Sequence, residues 1–477
     1  MEKLNCIINN KTIKALANPN IVVLDFLRQY EHLNGTKEGC SEGDCGACTI
    51  LVGELRGNEV VYKSVNSCLM PLGDVHGKHI VTIEGVNHPK ELTPIQHAFV
   101  EEGGTQCGFC TPGFIMSLTG YCINHSEKKV EDAINSVDGN ICRCTGHPPI
   151  IRAIRSVVEN LEKHPHNDGV PLAHLIEQKI LPEYFFSIAE RLKEIQTHTR
   201  ADVLVEESTT YIVSGGTDLY VQKAFTMHTE ITQRISAWRR DVPISEDKNE
   251  IQIPSTTTVE EFRLSPVIEK YFPELKAQLK LFGSTPIRNR ATIAGNLANA
   301  SPIGDMTSLL LAMNATLILR EGSSARTLPL RKFYTGYKQL DKKKTELIET
   351  IFFSKPKPTT KLNFEKISRR QHLDIASVNS TMVFDLKDGI LSNVGISAGG
   401  VGATPLYLEK TSQYLNGKTI NADILNEAFA IAHTEISPIS DARGSAHYKR
   451  LLLRQLIATH IMKFFPDVVR KELIILE

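Results

Sequence analysis

All ten cysteines of this 477-residue chain lie before residue 145, and the rest of the sequence holds none. The opening residues, Met1-Glu2-Lys3-Leu4-Asn5-Cys6, contain no apolar signal core, so a reducing cytoplasm is the expected location. Disulfides are rare there, and closely spaced cysteines point instead to metal or redox chemistry. The asymmetry divides the chain. Its first third must fold around ligands, the remainder around an apolar core. At about 150 residues per domain the length predicts roughly three domains, and 41% hydrophobic with 23% charged residues is ordinary for a globular protein. Lysine plus arginine balances aspartate plus glutamate at 54 each. That gives no global field to attract nucleic acid or an anionic membrane, and neither is an expected partner. No apolar run nears the ~18 residues that a bilayer span needs. The longest, Ser308 to Leu319, is broken by Asn314 and reads as a buried helix or strand.

Residues 1–88 read as a small mixed α/β unit: a hairpin turning at Asn9-Asn10, a short helix over Val22 to Tyr30, and a strand from Thr49 to Val52. Residues 89–164 turn helical. Thr93-Pro94-Ile95-Gln96 is a capping box with proline at the first helical position. A second helix starts at Thr111-Pro112, Ser126 is the expected cap of a third, and a fourth runs from Pro149 with Ile150, Ile154, Val157, Val158 and Leu161 on one face. Four helices thus make two hairpins, with a cysteine pair in each of two corners. Residues 165–195, which open rich in His, Pro, Asn and Gly, are the expected linker. Residues 196–360 alternate strands and helices, and residues 361–477 read as a smaller α+β lobe ending in a helix near Leu451 to Phe465.

Cys40, Cys45, Cys48 and Cys68 follow the C-x4-C-x2-C…C spacing of plant-type ferredoxins. One loop must wrap a two-iron rhomb, and Gly39, Gly43 and Gly46 let backbone pass close, with N–H groups free to face its sulfides. A structural zinc site is the rival, but zinc ribbons use two short knuckles and this set has one. Cys107, Cys110, Cys142 and Cys144 form a C-x2-C…C-x-C set, which taken alone leaves zinc open. Cys6 and Cys122 fall outside both sets and read as small buried hydrophobes.

Glu38-Gly39-Cys40-Ser41-Glu42-Gly43-Asp44-Cys45-Gly46-Ala47-Cys48-Thr49 resembles the first iron–sulfur signature of the molybdenum hydroxylase family. Gln106-Cys107-Gly108-Phe109-Cys110-Thr111-Pro112-Gly113 with Asn140-Ile141-Cys142-Arg143-Cys144-Thr145-Gly146 resembles the second. The order and spacing match over the first third of the chain. The resemblance implies two 2Fe–2S clusters: one in a plant-type ferredoxin-like β-grasp domain, one in a four-helix domain. It implies next a vanillyl-alcohol-oxidase-like FAD domain with a C-terminal α+β lobe, making a multidomain α+β chain like the iron–sulfur/FAD subunit of a bacterial xanthine dehydrogenase.

Two loops extend the resemblance. Ser214-Gly215-Gly216-Thr217-Asp218-Leu219 follows a strand, and its paired glycines can make a nest of N–H groups for a pyrophosphate, although a plain glycine turn would look the same. Thr292-Ile293-Ala294-Gly295-Asn296-Leu297-Ala298-Asn299-Ala300-Ser301-Pro302-Ile303-Gly304-Asp305 is similar to the family's second flavin loop. By the same likeness Thr292, Gly295, Asn296, Asn299, Ser301 and Asp305 contact the flavin, with Phe282 and Lys366 beside it. Arg369-Arg370 resembles the family's paired arginines, with a solvated basic turn as the alternative. Gly400-Val401-Gly402-Ala403-Thr404-Pro405 imitates a dinucleotide fingerprint but lacks its third glycine and reads as a tight turn.

The family likeness implies a role in purine metabolism: electrons from purine hydroxylation pass through the clusters to FAD and on to NAD. No residue of this chain is assigned as general acid or base, because the cofactors carry the chemistry. Nothing after Glu477 supplies molybdopterin, so the expected partner is a molybdopterin-binding large subunit, in a heterodimer or dimer of heterodimers. A hydroxylase of aldehydes, N-heterocycles or aromatic thioesters is the neighbouring alternative, and a zinc-stabilised scaffold the remote one. The purified chain is predicted to carry about four irons and one noncovalent FAD. Metal analysis and flavin release on denaturation test this, and zinc in place of iron, or no released flavin, would overturn it.

Overall fold

The computed structural model describes residues 1–125, 128–163, 171–195, 204–236 and 242–467. The chain divides into two compact units. The first comprises Met1–Thr199, Thr209–Ser236 and Ser284–Arg290; the second comprises Arg200–Ser208, Ala237–Gly283 and Ala291–Glu477.

In the first unit a five-stranded sheet takes β1 (Glu2–Ile8), β2 (Lys11–Ala17), β3 (Thr49–Arg56), β4 (Glu59–Asn66) and β5 (His79–Val81) in the order β2-β1-β5-β3-β4. β1 and β5 pair parallel, and the other pairs are antiparallel. β3 shows why the sheet is buried on both faces. Its side chains alternate, so Ile50 and Val52 join the core with Leu4, Ile8 and Phe26, while Leu51 faces the helices. Those helices are α1 (Pro94–Glu101), α2 (Thr111–Asn124), α3 (Val130–Asn135) and α4 (Pro148–Lys163).

The Thr93 hydroxyl accepts from Gln96 N–H at 3.2 Å and the Gln96 side chain accepts from Thr93 N–H at 2.8 Å, the reciprocal box that starts α1. Ser126 lies outside the described residues, and α3 begins directly after Lys129. Ile150, Ala153, Ile154, Val157, Val158 and Leu161 of α4 are buried against Phe99 and Phe114. Each large aliphatic side chain there contributes about 1.5–3 kcal/mol.

The segment expected as a linker is ordered where it is described. Pro171–Glu177 and Ile188–Lys193 are helical, and Leu175, Leu181, Phe185, Ile188 and Leu192 are buried. Phe185 packs on His79 with ring centres 5.5 Å apart. His79 is fully buried, its ring nitrogens 2.7 Å from Tyr62 Oη and 2.9 Å from the Asn9 carbonyl, and burial pushes its pKa down to about 3. The apolar side chains of this segment are spaced to cover a sheet face. That pattern has no visible partner in the local sequence. Residues 164–170 lie outside the described set.

The short strands β6 (Tyr211–Val213) and β7 (Thr232–Arg234) pair parallel in the first unit. Ser284–Arg290 also belongs to it. Arg288 donates to Asp138 at 3.0 Å, with both side chains almost inaccessible, and Asp138 also accepts from Thr285 N–H at 2.9 Å.

The second unit holds two sheets and a hairpin. β8 (Ser245–Glu246), β9 (Glu250–Pro254), β10 (Thr316–Glu321), β11 (Ser324–Pro329) and β14 (Leu347–Ser354) form one sheet in the order β11-β10-β14-β9-β8. β12 (Tyr334–Gly336) pairs with β13 (Gln339–Leu340). β15 (Thr360–Ile367), β16 (Val378–Lys387), β17 (Ile390–Gly399) and β18 (Leu406–Tyr407) form an antiparallel sheet. Its core is filled from α8 (Ala422–Glu435) and α9 (Ala446–Phe464) by Leu425, Phe429, Leu453, Leu456, Ile457 and Ile461, and α7 (Glu409–Leu415) adds Leu415.

The apolar run Ser308 to Leu319 resolves into both of its expected forms. α6 (Asp305–Ala312) ends, Asn314 turns at φ +54°, and β10 follows. Every residue of α6 is buried; Gly395 of β17 approaches so closely that a Cβ there would stand 2.2 Å from the Ala312 carbonyl. Gly400, from the imitation fingerprint, sits at φ +83° in the turn after β17, where its N–H donates to Pro302 at 2.9 Å. No helix of the described residues is long and apolar enough to cross a membrane.

Breaking a buried ion pair from one side leaves the other charge uncompensated. Arg288→Met is therefore expected to lower the stability of the first unit by about 3–5 kcal/mol. Urea unfolding followed by tryptophan-independent far-UV signal checks this, and a change below about 0.5 kcal/mol would place the pair among inert surface contacts.

Candidate redox-cofactor sites

Eight cysteines close in pairs. Cys48 and Cys68 sulfurs lie 3.3 Å apart, and those of Cys107 and Cys144 lie 3.5 Å apart. Cys40 pairs with Cys45, and Cys110 with Cys142, by hydrogen bonds between their sulfurs. Two thiolates on one tetrahedral metal, with bonds of about 2.3 Å, stand roughly 3.8 Å apart. Each pair therefore fits the two protein ligands of one iron, and each set of four supplies two pairs, the requirement of a two-iron cluster. A single zinc needs its four ligands around one point.

In the first set each thiol pair shares a proton, so one sulfur is favoured as thiolate at the expense of its partner. Cys40 is drawn down to about 5, first by the hydrogen bond from Cys45, against burial, and further by the N–H groups of Glu42 and Asp44 at 3.4 and 3.3 Å, while Cys45 is pushed up by the same bond. Asn66 adds a side-chain donor, its Nδ2 3.7 Å from the Cys48 sulfur. In the second set burial pushes Cys142 up, but hydrogen bonds together outweigh it: from Thr145 N–H at 3.4 Å, from the Thr145 hydroxyl at 3.2 Å, from the Cys110 thiol and from Cys144 N–H. Gly43 at φ +79° and Gly46 at φ +68° supply the left-handed turns of the first loop.

The two cysteine loops meet backbone to backbone. Ile141 N–H donates to the Cys45 carbonyl at 3.1 Å, and Asn140 Nδ2 donates to the Gly46 carbonyl at 3.0 Å. The Ser117 hydroxyl fixes Asn140 by donating to its Oδ1 at 2.7 Å. A Cβ on Gly113 would stand 2.1 Å from the Gly46 carbonyl, and one on Gly46 would stand 2.3 Å from that of Gly139. Ligand Cys45 is thereby one hydrogen bond and one residue from ligand Cys142. Exposure differs from pair to pair: Cys48, Cys68 and Cys142 are buried and Cys40, Cys45 and Cys110 half-buried, while Cys107 and Cys144 are exposed beside Phe109 and Ile141, which are 44% and 43% accessible.

The expected flavin contacts divide between the units. Ser214, Gly215, Gly216, Thr217, Asp218 and Leu219 lie in the first, directly after β6. Gly216 turns at φ +79°, and a Cβ there would meet the Tyr220 ring at 3.2 Å and the Leu69 carbonyl at 3.4 Å. Ser214 Oγ is buried without a hydrogen-bond partner, which leaves it able to bond a ligand oxygen.

Phe282, Thr292, Gly295, Asn296, Asn299, Ser301, Asp305 and Lys366 lie in the second unit. Thr292 caps α5 (Ile293–Ala298), accepting from Gly295 N–H at 3.1 Å, and the next residue, Asn296, has a buried Oδ1 with no partner. Asn299 accepts from Lys338 through its carbonyl at 2.6 Å and its side chain at 3.0 Å. Ser301 Oγ accepts from Ile303 N–H at 3.3 Å. Lys366 is buried and donates to Asp305 at 2.7 Å and to the Leu281 carbonyl at 2.9 Å, next to Phe282. Two of its three donors are thus engaged.

Sequence reasoning missed Asn379, which donates to Asp305 at 2.6 Å and to the Ile303 carbonyl at 3.0 Å. It stands in the polar run Asn379-Ser380-Thr381 of β16, which carries no local mark of that role. Arg369 and Arg370 are exposed and donate to the carbonyls of Ala442 and Leu373. The donor set fits both groups: paired thiolates with converging N–H for iron–sulfur clusters, and glycine turns with orphaned buried oxygens for a flavin.

Comparison with known proteins agrees with this chemistry. A family model described as a 2Fe–2S binding domain matches residues 82–155, one for the FAD binding domain in molybdopterin dehydrogenase matches 185–356, and one for the CO dehydrogenase flavoprotein C-terminal domain matches 364–464. Xanthine dehydrogenase 1 of Arabidopsis thaliana is 28% identical over 94% of this chain, and aldehyde oxidase 1 of Oryctolagus cuniculus is 28% identical over 96%. The chain covers 38% and 39% of those two relatives. Among solved structures, a carbon monoxide dehydrogenase from Hydrogenophaga pseudoflava is 25% identical with a TM-score of 0.50, over 53% of this chain and 88% of that one.

Gly216→Val places a branched side chain at a left-handed position, against Tyr220 and in the proposed path of a pyrophosphate. The variant is expected to lose FAD while keeping both cluster signals in electron paramagnetic resonance. Normal flavin content would mean that the loop serves another purpose.

Proposed function

The chain belongs to the molybdenum hydroxylase family, as a component with iron–sulfur and FAD-binding domains, and we propose that within it the chain is the electron-transfer subunit of a xanthine dehydrogenase. Its complex would hydroxylate hypoxanthine and xanthine to urate on a molybdopterin-containing large subunit, with NAD as acceptor, in the cytoplasm. When bound, the two clusters supply one-electron steps and FAD collects the pair of electrons that a hydride acceptor needs.

The observation that carries this reading is the opposite exposure of one thiol pair in each cysteine set, Cys107 with Cys144 against Cys48 with Cys68. Cys107 and Cys144 open to solvent amid Phe109 and Ile141, an apolar rim suited to a protein partner. Cys48 and Cys68 are instead packed with Leu69 and with Val213 and Tyr220, the two residues flanking the glycine loop. The Ile141–Cys45 hydrogen bond joins the two sets. An outward site, an inward site and a short covalent and hydrogen-bonded bridge between them are what a directional relay needs. Likeness to xanthine dehydrogenases supports the purine substrate. The equal identity to an aldehyde oxidase supports a second reading, in which the partner selects an aldehyde or N-heterocycle.

Cys142→Ser in the assembled complex tests the relay. NADH should still reduce FAD and pass electrons to a dye, whereas xanthine should no longer reduce that flavin at a useful rate. Xanthine-driven flavin reduction at the wild-type rate, in a variant shown to lack the helical-domain cluster, would leave Cys107, Cys110, Cys142 and Cys144 a structural role.

A further inference from the structure

We propose that Arg290 is a positioning residue for the glycine loop Ser214–Leu219, and that Asp74, in the turn after Cys68, holds Arg290 in place. Flavin retention would then depend on the ferredoxin-like part of the chain. The proposal rests on the reading of that loop as the pyrophosphate site.

Arg290 turns two donors onto one acceptor: Nε lies 3.0 Å and Nη2 2.8 Å from the Gly215 carbonyl oxygen. Nη2 also donates to Asp74 Oδ2 at 2.7 Å. In a trans peptide the N–H points opposite to the C=O, so fixing the Gly215 carbonyl on Arg290 fixes Gly216 N–H on the other side. Two adjacent glycines have little torsional preference of their own. Without the guanidinium the Gly215–Gly216 peptide can rotate and turn its carbonyl dipole toward an incoming phosphate, reversing the nest.

Asp74 is in turn over-determined. Its side chain is 2% exposed. Its other oxygen accepts from the Ser236 hydroxyl at 2.8 Å, and Arg234 Nε stands 3.7 Å away. Burial alone would raise its carboxyl, but Arg290, Lys78 and Arg234 outweigh that and hold it below the usual carboxylate range. Because Asp74 neutralises Arg290, the guanidinium contributes orientation more than field. Asp74 sits in the turn Leu72–Val75, six residues beyond a cluster ligand, and the same stretch places the Leu69 carbonyl against Gly216. One short segment therefore touches both a cysteine pair and the glycine loop.

The test measures FAD affinity by the fluorescence of released flavin, alongside thermal unfolding of the flavin-free protein and the two cluster signals, in the full chain. Arg290→Met and Arg290→Lys should each weaken FAD binding about tenfold or more, since a lysine keeps the charge but not the fork. Asp74→Asn should weaken it in the same direction, with both cluster signals retained. A purely structural role would move the unfolding temperature and leave affinity alone. If Arg290→Met does not fold, Arg290→Lys decides. FAD affinity within about twofold of wild type in a folded Arg290 variant overturns the proposal. Gly216→Val run in parallel separates the two ideas: if it loses FAD while Arg290→Lys keeps it, the loop reading stands and the clamp falls, and if both keep FAD, both fall.

Discussion

The arrangement of the first unit depends on two carbonyl oxygens, those of Cys45 and Gly46, being met by the segment that leads into Cys142. Ile141 and Asn140 satisfy them at 3.1 and 3.0 Å. Buried carbonyls left without donors are expensive, on the order of 1–3 kcal/mol each. The contact also demands glycine at 46 and 113, because any side chain would separate the two backbones. Sheet and helices are thus held at a fixed distance by the same loops that carry the ligands. The position of each thiol pair relative to the other is set by backbone geometry, which is stiffer than side-chain packing.

Much of the first unit was legible because its signals are local. Cysteine spacing, the Thr93 box and the apolar face of α4 each express a constraint within a few residues, and the structure shows the box and the helix where the pattern put them. The four-helix and flavin-domain architecture followed from family likeness more than from periodicity. What stayed hidden is long-range. Asp138 and Arg288 are 150 residues apart, and Asp74 and Arg290 are 216 apart; nothing near either member announces its partner. The expected linker, 165–195, opens on a polar, Pro- and Gly-containing stretch with weak periodicity after it, and the surface that Ile188, Leu192 and Ile195 cover comes from Ile7, Leu55 and Val60, far back in the chain.

The flavin region shows the same limit in another form. Its two glycine-containing loops have recognisable composition, yet contacts assign the earlier one and the short stretch Ser284–Arg290 to the unit that holds the cysteines. Sequence order suggested a clean succession of domains. Chain topology instead threads pieces of the later region back onto the earlier one, anchored by a buried ion pair and by Asn289, which donates to the Ser64 carbonyl at 2.9 Å. Gly400 illustrates a further point: the first glycine of a run that mimics a nucleotide motif is explained by a left-handed turn that passes close to the Ser377 carbonyl and donates its N–H to that of Pro302.

The unequal burial of the cysteines separates them by chemical access. Cys107 and Cys144 are exposed, so dissolved oxidants and thiol reagents reach them directly. Cys48 and Cys68 lie under Leu69, Val213 and Tyr220, which keep solvent from that pair. Two thiol pairs of the same chemistry thus meet different surroundings, one open and one shielded.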